Sequence, residues 1–383
     1  MNMKRRSFSL IAVSLVTGCL SMNSTARNDS PAERISAFGT EEWPQQGGDP
    51  MNRYHGYVSG EFEKDILEVQ TWNTDSRSIR APPITSQTNT FLIDGSEGVV
   101  TFGTDGQYER TFDYVLPIGA AYIDDDLFVL GSEKLVRLSD NEVSWSVPLE
   151  VPPQSIKATG DQILVTPDLA DSIVSIHNAD TGEIVTTTSV DGTISSAAFS
   201  ENGTGYLLTS RGTVIAISGD QVAVLADLDT YGTQISVEKD ILYVAGNDGN
   251  GLITALDIET GEILWEITEP GLGDWGFAVD DRHVYTLTNS GTLTAISEGE
   301  IIWTAKSEGS FQKHAGADRA PVCTDDFVMY IGSEMALVVV DRETGTEQGR
   351  YTWNPVSPNR PIPYGNGVLL SDQVGLYWLP VDD

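Results

Sequence analysis

Leu252-Ile253-Thr254-Ala255-Leu256-Asp257-Ile258-Glu259-Thr260-Gly261-Glu262-Ile263-Leu264-Trp265 is the stretch whose reading decides the fold. Two β-rich runs flank a polar turn. Gly accepts a positive φ there, and the short Asp and Thr side chains can bond nearby backbone amides, so the segment predicts a hairpin. Asp180-Thr181-Gly182-Glu183 and Asp341-Arg342-Glu343-Thr344-Gly345 repeat the turn. Trp145, Trp265 and Trp303 recur on the strand that follows it. A large ring at that position can fill a wedge between neighbouring units.

Outward from this hairpin, a polar turn residue followed by a short apolar run recurs along the chain. The turn residues are Thr90, Asp126, Asp161, Thr204, Asp240, Asp281, Asp326 and Asn366. Runs such as Phe91-Leu92-Ile93, Leu127-Phe128-Val129-Leu130 and Ile241-Leu242-Tyr243-Val244 follow them. The mean spacing is about 39 residues, close to the ~40–50 residues of a four-stranded propeller blade. No long amphipathic helix pattern interrupts the series. The expectation is an all-β closed β-propeller of about eight four-stranded blades. The last unit stops at Val374-Gly375-Leu376-Tyr377-Trp378-Leu379 and lacks an outer strand. Ile66-Leu67-Glu68-Val69-Gln70-Thr71-Trp72 precedes the first unit and reads as that strand. Pairing the N-terminal strand with the last blade would close the ring and remove an open edge.

The Asp-x-x-Thr-Gly-Glu-x-x-x-Trp turn, the period, and the opening Trp43-Pro44-Gln45-Gln46-Gly47-Gly48-Asp49-Pro50 resemble the pyrroloquinoline-quinone-like repeat propellers. The resemblance runs from about Trp43 to the end. Ser139-Asp140-Asn141-Glu142 and Ser297-Glu298-Gly299-Glu300 depart from the Thr-Gly turn. That family contains quinone-dependent alcohol and sugar dehydrogenases. It also contains non-enzymatic members, among them the lipoprotein of the bacterial outer-membrane barrel-assembly machine and archaeal surface proteins. Fold does not choose among these functions. The alcohol dehydrogenases carry a vicinal cysteine pair and long inserted loops. This chain has two cysteines, Cys19 and Cys323, and short units.

The 383 residues carry 56 acidic and 22 basic side chains, a formal net charge of -34, and only 7 of the basic ones are Lys. The acids are spread along the whole chain. Self-repulsion of this size strains a compact state at ordinary salt. In molar salt the Debye length falls to about 3 Å and the repulsion is screened. The composition predicts an extreme halophile of haloarchaeal type, and it excludes nucleic acid, which needs a basic footprint.

Lys4, Arg5 and Arg6 precede an apolar run, Phe8 to Val16, too short to span a bilayer. Arg5-Arg6-Ser7-Phe8 resembles a twin-arginine export signal, although Ser9 departs from the pattern. Val16-Thr17-Gly18-Cys19 resembles a lipobox, which implies lipidation of Cys19. The expected organisation is a signal peptide over residues 1–18, a lipidated Cys and flexible tether over 19–42, and the propeller over 43–383. Cys323, in Pro321-Val322-Cys323, reads as a buried core residue.

Site chemistry is sparse. His55, His177, His283 and His314 lack metal-ligand spacing. Asn247-Asp248-Gly249-Asn250-Gly251 reads as a hairpin turn rather than a cation loop, and Asp124-Asp125-Asp126 as a solvated turn. No catalytic, cofactor-binding or metal residue is assigned, and no cofactor is expected. Arg80, Arg319 and Arg360 fall just before the innermost strands of the first, seventh and eighth units. Either each pairs with local carboxylates, or the three gather at a channel mouth that binds an anion or a partner. The sequence reads as a non-enzymatic binding or scaffold propeller, lipid-anchored at the outer face of the cytoplasmic membrane, with a protein partner at the cell surface. A haloarchaeon has no bacterial-type outer membrane, so a barrel-assembly role does not carry over. The alternatives are a quinone-dependent oxidoreductase or electron-transfer partner, and a sensor or substrate-binding subunit of a membrane complex.

Overall fold

The computed structural model describes Arg53, Gly56, residues 70–72, Ile79 and residues 82–381, apart from 96–97, 104–105, 113–116, 140–141, 171–172, 248–249, 274–275, 307–319, 354–357, 365–366 and 373–374. Eight four-stranded antiparallel sheets follow one another around a ring. The first seven blades span residues 84–112, 117–148, 153–189, 194–227, 232–268, 277–306 and 322–351. The eighth combines residues 362–380 with 70–72. Within each blade the strands run in sequence order from the hub outward, and in the eighth the N-terminal strand takes the rim.

Burial within a blade explains the sequence pattern. The second strand is sealed on both faces by the neighbouring blades, so it reads as a continuous apolar run rather than an alternating one. Asp126–Gly131 and Gly205–Thr209 are buried along their whole length. The outer strand shows only one face to its neighbour. In Ile263–Thr268 half-buried and exposed residues therefore alternate after an exposed pair. A bulge separates the third and fourth strands in seven of the blades, at the equivalent residue pair in six of them and two residues earlier in blade four.

The core is a circuit of inter-blade clusters. Separate clusters join blades one and two, two and three, three and four, four and five, and five and six. A larger one carries Tyr285, Met329, Leu369 and Leu92, and so links blades six, seven, eight and one. Gln70, Thr71 and Trp72 stand opposite Trp378, Tyr377 and Leu376. Each buried Leu, Ile, Val or Phe contributes about 1.5–3 kcal/mol relative to exposure.

The turn motif works as its composition predicts. The Asp257 carboxylate accepts from Thr260 N at 2.8 Å, Thr260 Oγ1 at 2.8 Å and Glu259 N at 3.1 Å. Asp341 accepts from Thr344 N at 2.8 Å, Thr344 Oγ1 at 2.7 Å and Glu343 N at 3.1 Å. The next Gly takes a positive φ, 70° at Gly261 and 68° at Gly345. Glycine is also needed for a second reason, which is the neighbouring blade. The Trp303 ring packs on Gly345 so closely that a Cβ there would lie 2.5 Å from Cε3. Trp303 Nε1 donates to the Arg342 carbonyl at 3.0 Å. Trp145 meets Gly182 in the same way, with Nε1 donating to the Ala179 carbonyl at 3.1 Å. Trp265 lies against Gly299.

Gly345→Ala adds a methyl into the Trp303 ring at a left-handed residue and should cost about 1–3 kcal/mol. Trp303→Ala should cost about 3–5 kcal/mol. Thermal melts in molar KCl check both, and an unshifted melt for Gly345→Ala would contradict the docking.

Candidate functional site

Arg5, Arg6, Cys19, Arg80 and Arg319 lie outside the described residues, as do His55 and His314. Arg360 is described. It sits in the connection leading to the inner strand Ile362–Tyr364 and has no solvent exposure. The expected gathering of three arginines therefore has one described member, enclosed in the protein rather than open to solvent. Asp124 and Asp125 form the expected turn, with φ of 48° and 69°. Asp126 is instead half of an ion pair, 2.5 Å from Arg137 Nη2. Asn247 and Asn250 lie in the link between Ile241–Gly246 and Leu252–Asp257. His177 is buried, with Nδ1 3.0 Å from the Gly182 carbonyl and Nε2 2.8 Å from Ser175 Oγ. Burial pushes its pKa below the ordinary histidine value, so it stands as a neutral structural ring.

The densest set of buried charge lies at the other end of the ring, where first strands turn into second strands. A cavity of about 340 Å³ opens beside Arg53, Glu238, Asp280, Arg282, Asp325 and Arg342. Glu238 comes from blade five, Asp280 and Arg282 from blade six, and Asp325 and Arg342 from blade seven. Asp280 follows the inner strand Phe277–Val279 and begins the turn to Val284–Leu287. It is almost fully enclosed. Its Oδ1 accepts from Arg282 N at 2.8 Å and His283 N at 2.7 Å. Its Oδ2 accepts from Tyr285 Oη at 2.8 Å and lies 3.2 Å from Arg342 Nη1. Burial works against the Arg342 charge, but Asp280, Tyr285 and Glu343 outweigh it and hold the guanidinium above its ordinary pKa.

Two described N-terminal residues, Arg53 and Gly56, dock at this end. The Val279 amide donates to the Arg53 carbonyl at 2.8 Å, and the Gly56 amide donates to the Cys323 carbonyl at 3.0 Å. Arg53 Nη1 then reaches Glu238 Oε2 at 2.7 Å. Arg53 thus ties the inner-strand end of blade six to a turn of blade five, and Gly56 bonds to the inner strand of blade seven.

Burial first, then the Asp280 charge, pushes the Cys323 thiol well above its ordinary pKa, so the reactive thiolate is suppressed. Tyr285 is raised by the same two causes. Tyr243 is pushed up to about 12 by burial, with the Glu238 and Asp280 charges adding to it. Sequence reasoning missed this cluster because Arg53 and Glu238 are 185 residues apart and belong to no motif. The local signals were charged turns, Asp280-Asp281-Arg282-His283 and Glu238-Lys239-Asp240, neither of which holds more charged residues than Asp124-Asp125-Asp126.

Residues 217–347 and 249–375 match a protein family described as outer membrane protein assembly factor BamB. No curated protein matches the sequence. Among solved structures, the computationally designed Ika8 protein superposes with a TM-score of 0.70 at 13% identity, covering 82% of this chain and 100% of its own. BamB from Moraxella catarrhalis gives 0.60 at 14% identity, with the same coverages. Quinohemoprotein alcohol dehydrogenase from Comamonas testosteroni gives 0.64 at 11% identity, covering 91% of this chain and 83% of that one. At these identities the likeness is one of fold. The chain is an eight-bladed β-propeller, and its residues 217–375 are similar to the pyrroloquinoline-quinone-like repeat family.

Removing one partner of the buried pair leaves the other charge uncompensated. Arg342→Met should cost about 3–5 kcal/mol, read as a lowered melting temperature in molar KCl. The Cys323 thiol should resist an aromatic disulfide reagent at pH 8 in the folded protein and react promptly once the protein is unfolded. Rapid labelling of the native chain would contradict the burial.

Proposed function

We propose that this propeller is a non-enzymatic binding scaffold, exported through the Arg5-Arg6 leader and held by lipid on Cys19 at the outer face of the cytoplasmic membrane. Residues 20–40, rich in Ser, Thr, Asn and Asp, serve as the tether. The observation that carries the reading is the match of residues 217–375, from blade four into blade eight, to an assembly-factor family. The leader and Cys19 add the address, and a lipid chain anchors by about 0.8 kcal/mol per buried CH₂. The enclosed Cys323 thiol and the enclosed phenols of Tyr243 and Tyr285 favour binding over covalent catalysis. The net charge of -34 adds that the scaffold works in concentrated salt.

Cys19→Ser should release the protein from membranes or leave its leader uncleaved, as read by fractionation and intact mass. Normal processing with unchanged membrane retention would refute the anchor. Circular dichroism across a KCl series should show structure lost well below molar salt. A cooperative fold persisting at about 0.1 M, where the Debye length is about 10 Å, would refute the salt requirement. A visible absorption band in the purified protein would favour a redox cofactor and overturn the non-enzymatic reading.

A further inference from the structure

Neighbouring blades meet along a wedge that widens toward the rim. The outer strand of each blade projects alternate side chains into it. Between blades two and three these are Trp145, Val147 and Leu149, and a space of only about 50 Å³ remains. One blade further on, Thr186 stands opposite Ile176 beside the bulge, as Trp145 stands opposite Arg137. The side chains that follow it at alternate positions are Thr188 and Val190. Thr186 keeps the polar half of the tryptophan contact, with Oγ1 donating to the Gly219 carbonyl of blade four at 2.7 Å. It supplies none of the bulk. The wedge between blades three and four stands open, with a volume of about 760 Å³.

The lining of that wedge is apolar within and acidic at the rim. Val190, Ile215 and Leu228 form its buried floor. Val222 and Val224 line the blade-four wall and remain 44% and 66% exposed. Strand register places both opposite Ile217 and Ile215, on the face turned toward blade three. Asp191, Asp227 and Asp229 edge the opening with one cation, Arg211, which lies 3.3 Å from Asp191. Three carboxylates against one guanidinium leave a net negative rim around an uncovered aliphatic surface.

We infer that this wedge is a docking groove for a segment of a protein partner that inserts a bulky aromatic side chain flanked by Lys or Arg. The inference rests on the reading of the chain as a binding scaffold and names the surface it uses. The aromatic ring lies on Val190, Ile215, Val222, Val224 and Leu228, and the flanking cations meet Asp191, Asp227 and Asp229. In concentrated salt, charge acts over only about 3 Å. Insertion of the ring therefore carries the affinity, and contact ion pairs set the preference for basic flanks.

The test titrates acetyl-Lys-Lys-Trp-Val-Lys-amide into the full chain in molar KCl by calorimetry. Acetyl-Lys-Lys-Ala-Val-Lys-amide and acetyl-Glu-Glu-Trp-Val-Glu-amide serve as comparisons. Both comparisons should bind at least about tenfold more weakly. Thr186→Trp restores the missing filler and should weaken the first peptide by about tenfold or more. Val224→Asp, at an exposed position that leaves the fold intact, should do the same and decides the matter if Thr186→Trp does not fold. Failure of the native chain to bind the peptide, or equal binding by both variants, overturns the groove. Self-association of the native chain that Thr186→Trp abolishes also overturns it, since the occupant is then a second copy. A membrane partner retained equally by the native chain and Thr186→Trp overturns the groove and leaves the scaffold reading standing. A native chain that retains no partner overturns the scaffold reading itself.

Discussion

A four-stranded sheet with two apolar faces cannot cover either face by itself, and this constraint organises the molecule. Every second strand is sealed only because a blade lies on each side of it. The inter-blade clusters pass from one blade to the next, and the largest joins blades six, seven, eight and one. Stability therefore belongs to the ring rather than to any repeat. The eighth sheet borrows Gln70–Trp72 from far upstream for the same reason, since its own segment supplies three strands.

The wedge between blades is the one element of the repeat that varies without disturbing the rest. Where Trp145 or Trp303 fills it, the ring presses on a turn glycine and donates to a turn carbonyl, so bulk and polarity are satisfied together. Where Thr186 stands in the ring's place, the hydrogen bond survives, and further along the strand, beside Ser189, Val190 and Asp191, the wedge stands open.

Charge is divided by location. Most of the acids decorate the outside, where screening and hydration decide their effect. A few are taken inside and matched, as Asp280 with Arg342 and Asp126 with Arg137. Interior pairs of this kind are costly to bury and costlier to break, so they act as fasteners between turns and blades. Arg53 extends the scheme by joining blade six, through the Val279 amide, to Glu238 of blade five.

The sequence by itself determined the all-β class, the repeat, the strand order within a blade and the chemistry of its turns. Each of these is written in short-range patterns: an apolar run, an Asp-x-x-Thr-Gly turn, a Trp beyond it. It also placed the strand that completes the last blade, because one unit ended a strand short and Gln70–Trp72 had none of its own to join. The tertiary structure alone decided which side chains meet across blades. Arg53 and Glu238, Trp303 and Gly345, or Val190 and the open wall of Val222 and Val224 come together only once the ring has curved. Curvature is a sum of small rotations over all eight blades, and no local stretch of sequence encodes it. That is why the fold was legible from repeats, whereas the charged cavity and the groove were not.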